Sequence, residues 1–83
     1  MLEDEVIKII SEQLLIKPDK ISLDSKFVDD LGADSLDLIE LVMTFEDKYS
    51  MGISDDDADK IVYVLDVIDY IRKNAGSYAR KVA

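Results

Sequence analysis

This chain lacks the two side chains that most often carry chemistry. The sequence has no cysteine and no histidine, which excludes disulfides, zinc–thiolate sites and cysteine nucleophiles. It also removes the commonest general base and metal ligand. Carboxylates dominate instead: nineteen acids stand against ten bases, for a formal charge of −9. Asp55-x-Asp57-x-Asp59 imitates the first half of a calcium loop, with Val62 at the eighth position and Asp66 at the twelfth. However, Lys60 stands where the sharp turn needs glycine, and the twelfth position should be a bidentate glutamate. Ser54 can cap a helix over these acids, and on a helix they diverge, which counts against a calcium-binding module. An acidic mimic of nucleic acid that blocks a basic protein is the other rival. A different kind of group is Asp30-Leu31-Gly32-Ala33-Asp34-Ser35-Leu36-Asp37. It sets a serine hydroxyl at a predicted helix start, with little steric bulk before it.

Helices must position these residues. Leu2, Val6, Ile9, Ile10 and Leu14 recur at spacings of three and four, predicting a first helix. It should end near Leu15, because Pro18 disfavours helical geometry at Lys17. A second helix reads from Ser35 to Tyr49, capped by Asp34, with Asp37 completing an acid–acid variant of the capping box. A short third helix fits Asp55 to Ile61, with Ser54 as its N-cap. The fourth spans Val64 to Asn74 and buries Val64, Val67, Ile68 and Ile71; Arg72 and Lys73 suit its C-terminal end, and Gly76 supplies a stop. Residues 16–34 carry no period, and loops that long are uncommon in compact domains. Ile21, Leu23, Phe27, Val28 and Leu31 should pin this loop to the core, with a helical turn near Phe27 to Leu31. The expected fold is therefore all-α: a small four-helix bundle with a long first loop and a short third helix. It occupies residues 1–76, and a frayed tail follows at 77–83.

With 83 residues there is room for one domain. Glu3, Asp4 and Glu5 stand where a targeting peptide would carry bases, and no apolar run approaches the roughly 18 residues of a membrane span. A free-standing, cytoplasmic monomer is the expectation, without membrane insertion.

The charge is unevenly spread. Asp24 to Asp59 hold twelve acids and two bases, a net −10, while the rest of the chain is close to neutral. Nucleic acid binding demands the opposite sign, and an anionic membrane surface would repel this chain. Crowded like charge opposes folding. It is either a solvated face or an electrostatic docking surface for basic partners. The second helix favours docking. Leu38, Leu41, Val42, Phe45 and Tyr49 form one apolar face suited to a core. Leu36, Ile39 and Met43 form another, interleaved with Asp37, Glu40 and Asp47. A helix apolar on two sides yet rich in acid is unlike a buried one.

The run from Asp30 to Asp37 resembles the phosphopantetheine attachment motif of acyl carrier proteins. The likeness continues through Leu38-Ile39-Glu40-Leu41-Val42-Met43, through Ile53 to Ile61, and through Asp66-Val67-Ile68-Asp69-Tyr70-Ile71. It covers about Val6 to Ile71 and looks most like the free-standing kind of fatty acid synthesis. Polyketide and other specialised carriers are the alternative. The resemblance implies that a transferase moves 4′-phosphopantetheine from coenzyme A onto Ser35 as a phosphodiester. First-turn amides and the helix dipole there suit an anionic phosphate. The arm would supply the thiol this chain lacks and hold acyl groups as thioesters. Fatty acid synthesis enzymes with basic docking patches would receive them, and the chain itself would be no catalyst.

Carried over position by position, Asp34 matches an acid that helps place metal and transferase during loading, with no metal site resident in the chain. Leu36, Ile39 and Met43 match the apolar partner strip; Asp37, Glu40, Glu46, Asp47 and Asp55 match its acidic rim. Phe27, Val28, Phe45, Ile53, Ala58, Ile61 and Val67 match the acyl pocket. The sequence departs from the family at Ser54, where proline is usual, and at Val62 and Tyr63, where threonines are common. Met51 and Gly52 are unusual for the loop before the third helix. Phe45 and Val67 are bulkier than the leucine and alanine frequent at their positions, so a tight pocket is expected.

Overall fold

The structure, a computed structural model, describes residues 2–74. Apolar side chains repeating every three or four residues fall on one stripe of a helix, and here three of the four helices bury such stripes together. Helix α1, Leu2–Leu14, buries Leu2, Val6 and Ile10. Helix α2, Ser35–Lys48, buries Leu41 and Phe45. Helix α3 is the short Asp55–Asp59, and α4, Val64–Asn74, buries Val64, Val67, Ile68 and Ile71. α1 packs against both α2 and α4. Phe45, Ile10, Leu41, Ile68, Ile71 and Val6 meet in a core shut off from solvent. Each such side chain contributes roughly 1.5–3 kcal/mol over its exposed form. An ion pair between Arg72 in the last turn of α4 and Glu3 in the first turn of α1 joins two helix ends.

α1 stops before Pro18, by an unexpected device. Leu15 takes a left-handed conformation, φ 58°, and the Ile16 amide donates back to the Ser11 carbonyl at 3.1 Å. α2 closes in the same way, with Ser50 at φ 51° and the Met51 amide bonded to the Glu46 carbonyl at 3.1 Å. This closure usually uses glycine. α3 ends two residues before the expected Ile61. There the Lys60 and Ile61 amides tighten onto the Asp57 and Ala58 carbonyls, each at 3.1 Å.

The long first loop is tied down twice. Pro18–Lys20 forms a 3-10 turn that periodicity gives no sign of. From Lys26 to Ala33 the backbone winds through turns rather than a helix: the Asp30 and Leu31 amides share the Lys26 carbonyl, both at 3.0 Å. Gly32 then breaks the winding with φ +72°. Lys26 also pairs with Tyr63 in an isolated antiparallel bridge, the sole extended pairing among the described residues. Around it the Phe27 amide bonds to Val62 O at 3.0 Å and the Val64 amide to Ser25 O at 2.9 Å. Ile21, Phe27 and Leu31 are buried as expected, whereas Val28 is 55% exposed because its turn faces outward. The proposed stop at Gly76, the domain end and the tail at 77–83 lie outside the described residues.

Candidate functional site

The site begins at the first turn of α2. Asp34 caps it: its carboxylate accepts the Asp37 amide at 2.9 Å, and the Asp37 carboxylate accepts the Asp34 amide at 3.1 Å. The acid–acid capping box is thus present, and each half satisfies an amide that the helix leaves unpaired. Because Asp34 does the capping, the Ser35 hydroxyl is not needed for it. Ser35 is exposed and makes no side-chain hydrogen bond among the described residues. The first α-helical bond of this turn is Leu38 N–H to Asp34 O at 3.0 Å. The Ser35 and Leu36 amides lie ahead of it, where an anion is favoured.

Ser35 stands at the mouth of a cleft of about 470 Å³ between α2 and α3. Leu38, Ile39, Val42 and Met43 line its α2 side, with Glu46 at the far end. Ile53, Asp55, Ala58, Asp59 and Ile61 line the opposite side. A smaller cleft, about 250 Å³, adjoins it and includes Phe27 and Val28; Leu38, Ala58, Asp59 and Ile61 border both. The residues present therefore suit a group with a phosphate at one end and an apolar chain at the other.

The family described as the phosphopantetheine attachment site matches residues 4–71. The acyl carrier protein of Chlamydia trachomatis serovar L2 is 51% identical over 73 residues, 88% of this chain and 95% of the relative. That of Akkermansia muciniphila is 47% identical over 75 residues, 90% and 94% of the two chains. The chain belongs to the acyl carrier protein family. Its prosthetic group is 4′-phosphopantetheine, and it is a carrier of acyl groups rather than a catalyst.

The carrier's other candidate residues fall into distinct places. Leu36, Ile39 and Met43 are 63%, 56% and 60% exposed, an apolar strip in open solvent. Around it Glu40, Asp47 and Asp55 are exposed. Asp37 and Glu46 have structural tasks as well: Asp37 in the capping box, Glu46 accepting the Ile53 amide at 2.8 Å. Of the residues matched to an acyl pocket, Ile53, Ala58 and Ile61 line the larger cleft. Phe27 and Val28 line the smaller one. Phe45 and Val67 are packed in the core and border neither. Sequence reasoning gave Leu38 and Val42 wholly to the core, yet both are half-buried and face the larger cleft. The helical period was the available signal, since Ser35, Leu38 and Val42 share one stripe. Among the acids of the calcium-like run, Asp55–Asp59 form α3, Asp57 accepts the Tyr70 hydroxyl at 3.0 Å, and Asp66 accepts the Val62 and Tyr63 amides at 2.9 and 2.8 Å. Asp66 thereby caps α4 from within, offsetting the missing threonines. No helix among the described residues is long and apolar enough to cross a membrane.

Proposed function

We propose that Ser35 takes the phosphopantetheine arm and that the protein carries the acyl intermediates of fatty acid synthesis on it. One observation carries the assignment: an exposed, unengaged serine hydroxyl at the head of α2, opening onto an apolar cleft. Ser11, Ser22, Ser25 and Ser54 commit their hydroxyls to internal hydrogen bonds. Ser50 lies just past the C-terminal end of α2, where the helix dipole disfavours a phosphate. The bound arm supplies the thiol that forms the acyl thioester. The chain's own residues do the rest. The Ser35 and Leu36 amides face the phosphodiester, the Asp34 carboxylate assists loading, and Leu38, Val42, Ile53, Ala58 and Ile61 exclude water from the acyl chain.

Leu36, Ile39 and Met43, rimmed by Asp37, Glu40, Glu46, Asp47 and Asp55, dock the transferase and the synthesis enzymes through their basic patches. Attraction between these opposite charges raises encounter rates and weakens with salt. In this reading the domain is residues 1–76, and the protein works as a cytoplasmic monomer. The test is intact mass after incubation with coenzyme A and a phosphopantetheinyl transferase. Wild type and Ser50→Ala should each gain one arm. Ser35→Ala should gain none, and its thermal stability should stay within about 0.5 kcal/mol of wild type. A gain in Ser35→Ala overturns the assignment.

A further inference from the structure

Of the elements around the larger cleft, α3 is the least able to hold its own position. It has five residues and buries none of its side chains, and a helix this short has no stability by itself. Yet it and its flanks supply Ile53, Asp55, Ala58, Asp59 and Ile61 to the cleft. Its placement has to come from neighbours, and two side chains from other helices reach it. Glu46 of α2 accepts the Ile53 amide at 2.8 Å. Tyr70 of α4 puts its hydroxyl 3.0 Å from the Asp57 carboxylate and 3.2 Å from the Gly52 carbonyl. Tyr70 lies between Ile68, two residues before it, and Ile71, next after it, both without solvent access, so the helix that presents it is anchored in the core. Its hydroxyl is held protonated above the ordinary tyrosine range, first by desolvation, then by the hydrogen bond and charge of Asp57 and the charge of Glu46. Its single proton goes to the nearer, charged Asp57 carboxylate, and the Gly52 carbonyl at 3.2 Å is the weaker sharer of that one bond. Tyr70 does not line the cleft, so it can act there only through α3.

We infer that the Tyr70 hydroxyl is a positioning group, holding α3 over the cleft and so setting how often a sheltered acyl chain is exposed. The inference rests on the cleft being the acyl shelter, as proposed above. Wild type, Tyr70→Phe, Asp57→Ala and Asp57→Asn are each loaded with a long acyl chain and, separately, with acetyl. Hydroxylamine cleavage of the thioester is then timed, and the melting of the unloaded proteins is recorded. Loss of one hydrogen bond should speed long-chain cleavage roughly three- to tenfold in Tyr70→Phe and Asp57→Ala. Asp57→Asn, whose amide oxygen accepts the same bond, should stay near wild type. Acetyl cleavage, with no chain to shelter, should be alike in all four. A merely structural role would lower melting without changing the ratio of long-chain to acetyl rates. An unchanged ratio in Tyr70→Phe and Asp57→Ala overturns the inference while leaving the shelter standing. Equal long-chain and acetyl rates in wild type overturn the shelter, and the inference with it.

Discussion

Asp34 and Ser35 are neighbours whose replacement should have opposite signatures. Asp34→Ala removes the acceptor 2.9 Å from the Asp37 amide but keeps the Asp34 backbone amide that donates to the Asp37 carboxylate, so only one half of the box is lost. Losing an N-cap costs about 1 kcal/mol, and losing a negative charge at a helix N-terminus adds roughly 0.3–1 kcal/mol. Relief of repulsion works the other way, because Asp34 belongs to a stretch of net −10. The net cost should be about 1 kcal/mol, which for a domain this small lowers the melting temperature by roughly 4–8 °C. Asp34→Asn keeps the capping oxygen and sheds only charge, so it should melt within about 2 °C of wild type. Thermal unfolding followed by circular dichroism measures all three. If Asp34→Ala melts like wild type, the Asp34 half of the capping box contributes nothing. If Asp34→Asn falls as far as Asp34→Ala, charge rather than hydrogen bonding holds the helix start. A parallel loading assay separates cap from site: the carboxylate's role in loading predicts that Asp34→Asn is loaded more slowly while melting normally.

Leu15→Gly should raise stability by about 0.5–1 kcal/mol: the left-handed penalty of a non-glycine residue, roughly 1–2 kcal/mol, is relieved, less glycine's extra entropy when unfolded. Leu15 is 90% exposed, so little packing is lost, and a lower melting temperature would refute this account. Added salt should raise the melting temperature by screening carboxylates from Asp24 to Asp59, whereas a steady fall from low to physiological strength would mean that attractive pairs dominate. Glu3 is held below its ordinary pKa of 4.5, first by its own backbone amide and then by Arg72. A depressed carboxylate favours the folded state above that ordinary value and loses the contribution as pH falls through the folded one. Arg72→Gln should therefore melt closer to wild type at acid pH than at neutral, as a melting series over pH can measure.

Helix positions and the serine's setting were legible in the sequence because both are local. A 3.6-residue period, an N-cap and a capping box involve residues no more than four apart, so α2 and its Asp34–Asp37 box can be read without knowing what packs against them. The exposed strip of Leu36, Ile39 and Met43 was legible for the same reason: a helix this acidic cannot bury both apolar faces. Tertiary structure alone decided the rest. Lys26 meets Tyr63 because the first loop lies against the α3–α4 connection, and no periodicity encodes a single bridge between distant residues. Leu38 and Val42 border the cleft while Phe45 and Val67 fill the core, although all four are apolar on helices. That division depends on how far α3 stands from α2, a distance set by contacts across the fold. Tyr70 looks like one more amphipathic residue of α4 until Asp57 and Gly52 are brought to its hydroxyl. Local rules choose the helices and their faces; the approach of non-neighbouring helices decides which side chains become core, which become cleft, and which hold α3 over it.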